Sequence, residues 1–261
     1  MKMQNVPKPF LAAALLLLPT GCAKAPGGST VSPGQGTQVI VTMTVAGTIN
    51  PNYYYYVLFN VNNSPGPTGT APVPVVTVRD TGGNGFAAGA FTNYVEFNQS
   101  VPGGAGVGGT NVGFYGISSD LLTPSYIGSS SPYLVQAQVN GNMLSFQIPL
   151  AQLATPSVAA GSINSLQINL VTTNLVTSNP SAPQTKVFDA LGQTNQLGGL
   201  NNPITIQVGT SGIYNNASVQ NEAAGDVTEY VNGQPVTATS ANTPGVTTPD
   251  LDITDWSVQI R

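Results

Sequence analysis

The chain has no histidine, a single cysteine, and charge on only 6% of its 261 residues, against roughly a quarter in an ordinary soluble protein. Each absence removes a chemistry. Without His there is no Ser-His-Asp triad, no Cys-His pair and no imidazole-held zinc or haem. One cysteine, Cys22, cannot build a disulfide framework. Six basic residues cannot neutralise a run of phosphates, so nucleic acid is excluded as a partner. Sustained 3.6-residue apolar spacing is also missing, which leaves helices a minor part. What remains is a sparsely charged chain rich in Gly (30), Pro (21), Tyr (10), amides and hydroxyls.

The first residues read as an export signal. Lys2 and Lys8 flank the start of an apolar run over residues 10–18. At nine residues the run is too short for a bilayer, which takes about 20. Leu18-Pro19-Thr20-Gly21-Cys22 follows. This segment resembles the lipobox of bacterial lipoproteins, with Pro19 standing where Leu is usual. The resemblance implies a signal peptide over residues 1–21, a lipid on the Cys22 sulfur, and anchoring of an exported protein to a cell-envelope membrane. A secretory signal with a coincidental cysteine is the plainer alternative. Without Lys2 and Lys8 the chain keeps 4 basic and 10 acidic residues, a net charge of −6. Residues 22–37 (CAKAPGGSTVSPGQGT) have the composition of a flexible tether, with an ordered arm as the alternative.

From Gln38 the period is two. Val39, Val41, Met43 and Val45 alternate with Ile40, Thr42 and Thr44, which predicts a strand with one apolar face. Further strands are expected over residues 53–61, 73–79, 92–98, 111–117, 133–139, 143–148, 163–172, 204–208, 227–231, 236–239 and 253–260. Asn140-Gly141-Asn142 and Asn232-Gly233 supply hairpin turns. Only residues 149–154 and 184–191 suit a short helical turn. Short strands at intervals of about 10–20 residues predict an all-β fold, a single antiparallel β-sandwich over residues 38–261. A division into two domains near Pro180 is the alternative.

The stretch from Val135 to Thr173 runs as strand, Asn-Gly turn, strand ending Ile148-Pro149-Leu150, short turn, and long strand INSLQINLVTT. It resembles the C-terminal half of DOMON-like and carbohydrate-binding-module-family-9-like β-sandwiches. The Tyr53–Asn60 strand and the closing LDITDWSVQI are similar to envelope proteins of that kind. The resemblance implies a jelly-roll-like sandwich that binds a sugar or a redox group. The haem-binding branch takes Met and His as ligands, and this chain has no His. Fold alone does not carry function.

Three constellations are candidates for chemistry. In Tyr53-Tyr54-Tyr55-Tyr56, alternate rings face opposite sides of a strand. One pair is expected toward the core, and the other could give a platform for sugar stacking, to which Tyr115, Tyr126, Tyr133 and Tyr214 could add. Asp250, Asp252 and Asp255 in TPDLDITDW could offer oxygens to Ca²⁺, although a solvated face of the final strand, or edge charges that discourage aggregation, is the simpler explanation. Trp256 beside them reads as a core anchor. Gly104, Gly106 and Gly109 mimic a dinucleotide fingerprint but lack the following helix and acid, so they form a loop. Carboxylate pairs such as Asp80 with Glu96, or Asp120 with Asp189, are the only material for glycoside hydrolysis. The expectation is a non-catalytic binding module for a saccharide. An envelope protein that binds another protein is the rival, and a glycan-acting enzyme the third reading.

Overall fold

The structure is a computed structural model that describes residues 36–66, 69–75, 84–102, 111–117, 123–129, 133–176, 185–196, 199, 202–232, 234–239 and 241–261. The signal segment, Cys22, most of the tether, the Gly104–Gly109 loop, Arg79, Asp80, Asp120 and the Pro180 region lie outside the described residues. No helix among the described residues is long and apolar enough to cross a membrane.

Alternation organises two antiparallel sheets. The smaller holds five strands in the order β13 (Gly212–Asn215), β16 (Ile253–Ile260), β1 (Gln38–Val45), β9 (Met143–Pro149) and β8 (Val135–Asn140). In β1 the alternate residues Val39, Val41, Met43 and Val45 are fully buried, as the sequence pattern predicts. The larger runs β15 (Gln234–Thr237), β14 (Thr228–Val231), β11 (Val187–Ala190), β10 (Ser165–Thr173), β2 (Tyr54–Asn62), β5 (Asn93–Phe97), β6 (Val112–Ile117) and β7 (Pro124–Gly128). A further strand, β12 (Ile204–Gln207), pairs with β10 alongside β11. A two-stranded ribbon of β3 (Val73–Pro74) and β4 (Ala87–Ala88) completes the set. The architecture is an all-β sandwich. Strands from before and after residue 180 pair within both sheets.

The apolar faces meet between the sheets. Val41, Met43, Phe146, Ile148, Trp256 and Val258 of the small sheet share one core with Tyr55, Val57, Phe59, Leu166, Ile168 and Phe114 of the large one. Burying each such side chain contributes about 1.5–3 kcal/mol. The large sheet is covered on its other face too. There Tyr56, Leu58, Phe86, Phe91, Tyr94, Tyr115 and Val171 form a second cluster. All of β10 is buried, and its outward amides find partners on the neighbouring segments: Gln167 accepts from Asn60 Nδ2 at 2.8 Å, and Asn169 Nδ2 donates to the Pro72 carbonyl at 2.9 Å, while Asn169 Oδ1 has no partner among the described residues. Neutral amides can be buried cheaply only when paired in this way.

Turns follow the residues that permit them. β8 and β9 close around Gly141-Asn142, with Gly141 at φ +61, the first-position glycine that suits a tight hairpin. Asn232 at φ +53 turns β14 into β15. A bulge at Gln136 (φ +53) shifts the register between Val135 and Gln138 and breaks up the edge strand β8.

Two expectations change. The segment given to a helical turn over 184–191 instead holds strand β11, because Phe188 and Asp189 pair with Thr173 and Thr172 of β10. Four residues buried on both faces carry no period to read. Strands β7 and β13 were not expected at all. The turn at 149–154 is a 3-10 helix, Leu150–Leu153.

The inter-sheet core sets stability. Phe146→Ala is expected to lower unfolding free energy by about 3–5 kcal/mol in denaturant titrations, with the m-value unchanged.

Candidate functional site

The four tyrosines divide by strand parity. Tyr55 points into the inter-sheet core and is fully buried. Its hydroxyl donates to the Asp250 carbonyl (2.8 Å) and accepts from the Asn50 amide (2.8 Å). Tyr53, also buried, accepts from the Thr247 amide at 2.8 Å. Both tie the 3-10 turn Thr248–Asp250 and the segment before it to the start of β2.

Tyr54 and Tyr56 take the outer face. Tyr56 stacks on Phe86 at 4.2 Å between centroids, meets Tyr94 edge-on at 5.9 Å, and Tyr94 stacks on Tyr115 at 4.8 Å. Tyr126 closes the series edge-on to Tyr115 at 5.3 Å. This is a ladder of rings, but Tyr56, Tyr94 and Tyr115 are buried and Phe86 and Phe91 pack among them. The open platform expected of Tyr53, Tyr54, Tyr55, Tyr56 and Tyr115 is therefore absent among the described residues. Within the ladder only Tyr126, 41% exposed, and half-buried Tyr54 keep solvent access, while Tyr133 and Tyr214 are half-buried against the inter-sheet core.

Glu96 sits within that ladder and accepts from the Tyr56 hydroxyl at 3.4 Å. Burial pushes its carboxyl up to about 7, with the Tyr56 hydrogen bond opposing. Burial and the nearby Glu96 charge together raise Tyr54, Tyr56, Tyr94 and Tyr115.

A groove of about 950 Å³ opens elsewhere, at the ends of β5, β6 and β7. One wall carries Asn60, Thr92 and Asn93, the other the segment 154–157 that follows the 3-10 turn. Phe91, Ile117 and Ile127 supply apolar surface. No charged residue lines it among the described residues. Asn93 is buried, and its Oδ1 has no hydrogen-bond partner among the described residues.

The acidic trio is not brought together. Asp250 Oδ1 takes the Thr48 amide (2.9 Å), fastening a loop so tightly that a Cβ at Gly47 would lie 2.4 Å from that oxygen. Asp255 stays on the exposed side of β16 and accepts from the Trp256 amide at 2.8 Å. Asp252 turns inward and joins Asp189 and Asp226, where one carboxylate oxygen from each lies within 4.8 Å of the others. The physical reason is placement along the chain. Asp250 ends a 3-10 turn, Asp252 precedes the strand, and Asp255 is inside it.

This inner centre holds four carboxyls. Asp189, at 0% exposure, accepts from the Ala190 amide (2.8 Å) and the Ile253 amide (2.7 Å). Asp226 Oδ2 takes the Thr194 amide at 2.6 Å, Asp252 Oδ1 the Gly225 amide at 2.8 Å, and Glu222 Oε2 the Gly192 amide at 3.2 Å. Burial, then neighbouring acids, raises Asp189 and Glu222 well above the usual carboxylate range. Burial also raises Asp226 and Asp252 against the backbone donors that hold them down. The two basic side chains described bond elsewhere: Lys186 donates to the Gly85 carbonyl and Arg261 to Gln147. Each unpaired buried charge costs several kcal/mol.

Sequence reading missed this centre because its members come from residues 189, 222–226 and 252. The available signal was an acid, Asp189, inside the otherwise apolar VFDAL. The groove left no local trace either, since it is built from strand ends and a turn. Comparison of the chain with protein-family models, with curated proteins and with solved structures finds no match.

Glu96 gives a pH test. Its carboxyl titrates near 4.3 when unfolded and at about 7 when folded. The folded chain therefore holds the proton longer, and the stability from protonated Glu96 is full below about pH 4 and lost as pH rises toward 7. Glu96→Gln is expected to remove that loss, gaining on the order of 2 kcal/mol over the parent above pH 7 and little at about pH 4, by denaturant titration across pH.

Proposed function

We propose that the chain is an exported, lipid-anchored envelope protein whose sandwich is a non-catalytic binding module for a neutral saccharide. The observation that carries this is the groove, uncharged among the described residues, with Asn60, Thr92 and Asn93 on one wall and Thr155 and Ser157 on the other. Neutral hydroxyls and amides beside apolar patches suit a polyhydroxylated ligand, because neither partner has to shed a charge on binding. The lipobox-like Leu18–Cys22 segment supports export and anchoring. The likeness to DOMON-like and family-9-like sandwiches supports a sugar. The tyrosine ladder has a stabilising part, and Tyr126 at its open end is the ring free to extend a binding surface.

A second reading, an envelope protein that docks another protein, is favoured by Ile213, 63% exposed on the edge strand β13. Exposed edges invite pairing by another chain.

Glycan-array screening followed by calorimetry on the full chain separates the two. The binding reading expects a neutral oligosaccharide to bind, with Asn93→Ala weakening it about tenfold while thermal stability is kept. If no saccharide binds and Ile213→Asp abolishes capture of an envelope protein, the docking reading takes its place. For the anchor, Cys22→Ala is expected to move the protein from the membrane to the soluble fraction. A variant that stays on the membrane contradicts anchoring through Cys22.

A further inference from the structure

The inner carboxyl centre lies apart from the groove and takes no part in the saccharide reading. Its oxygens are already partly engaged. Asp189 faces two amides, and Asp226, Asp252 and Glu222 one each. What is left over is informative. Asp226 is 2% exposed, one of its carboxylate oxygens lies within 4.8 Å of one of Asp189, and its Oδ1 has no partner among the described residues. Glu222 Oε1 is buried and open in the same way. Unpartnered oxygens on a buried acid, facing a second buried acid, call for a positive group between them.

We propose that Asp189, Asp226 and Asp252, with Glu222 beside them, form a Ca²⁺ site that fastens the large sheet to the small one. The ion class follows from the donors. With no His in the chain and only carboxylates grouped here among the described residues, the site offers oxygen, which selects a hard cation over zinc or copper. One oxygen from each of the three Asp residues lies within 4.8 Å of the others. That is the span of an oxygen shell around Ca²⁺, about 5 Å from side to side. Thr194 adds a hydroxyl beside Asp189 at 3.3 Å. The location gives the ion a purpose. Asp189 belongs to β11 of the large sheet, and Asp252 leads directly into β16 of the small one.

The full chain, stripped with a chelator and titrated with CaCl₂ at about pH 7, is expected to bind one ion per chain and to melt at a higher temperature when loaded. MgCl₂ is expected to bind more weakly, because Mg²⁺ demands a smaller and stricter shell. Asp226→Asn and Glu222→Gln are expected to weaken Ca²⁺ at least about tenfold, whereas Asp255→Asn, on the exposed face, leaves it unchanged. Terbium provides a readout that needs no variant. Trp256, the single tryptophan, donates to Asn221 at 3.0 Å, next to Glu222, so Tb³⁺ in the site lights up on indole excitation and Ca²⁺ displaces it. The proposal is overturned by a wild-type chain that takes up no Ca²⁺ at about 10 mM, above the range of weak extracellular sites. Sensitised Tb³⁺ emission that never develops, or Ca²⁺ binding that survives both Asp226→Asn and Asp189→Asn, overturns it equally.

Discussion

The hydrogen bond from the Ile253 amide to Asp189 Oδ2, 2.7 Å long and fully buried, joins the two halves of this molecule. It starts β16, which seats Trp256, Val258 and Ile260 in the core and pairs with β1 along its whole length. The same carboxyl turns back on β11 through Ala190 and receives the Thr194 hydroxyl, so one side chain orients elements of both sheets. Around it stand three more acids. Such a junction is costly in an apolar interior unless its charge is matched. Protons or a cation can match it, and both the stability and the stiffness of the sandwich depend on which one does.

Elsewhere the chain avoids that cost by using almost no charge. Tyr55 and Tyr53 hold the segment before β16 through hydroxyls, Asn60 pairs with Gln167, and Asn169 donates to a backbone carbonyl on the outer face of the large sheet. Neutral pairs desolvate at modest expense, so a sheet can be covered on both faces. The second aromatic cluster is the result. It covers the tyrosines that an open platform would need, and it leaves the groove at the strand ends as the accessible concave surface described above.

Periodicity made β1, β10 and β16 legible, because one face of β1 and β16 alternates cleanly and β10 is long. The Gly141 hairpin was legible for a conformational reason, its positive φ. β11 was not, since Val187-Phe188-Asp189-Ala190 is buried throughout and has no polar face. β13 and β7, at the outer edges, carry Gly, Pro and Ser, which read as loop. At the sites the limits were sharper. Asp252 stood out as an acid but was grouped with Asp250 and Asp255, its neighbours in sequence. Its neighbours in space, Asp189 and Asp226, come from segments more than 20 residues away. Tyr parity was readable. Which face Phe86 and Phe91 would cover was not, because that depends on a ribbon folding back over the sheet.

The most direct test of the junction is crystallographic. Anomalous difference maps from crystals grown with calcium are predicted to show one peak among Asp189, Asp226 and Asp252, with oxygens at about 2.3–2.6 Å. Flat density there, with Asp189 and Asp226 sharing a proton in a short carboxyl–carboxylate hydrogen bond, would contradict the account.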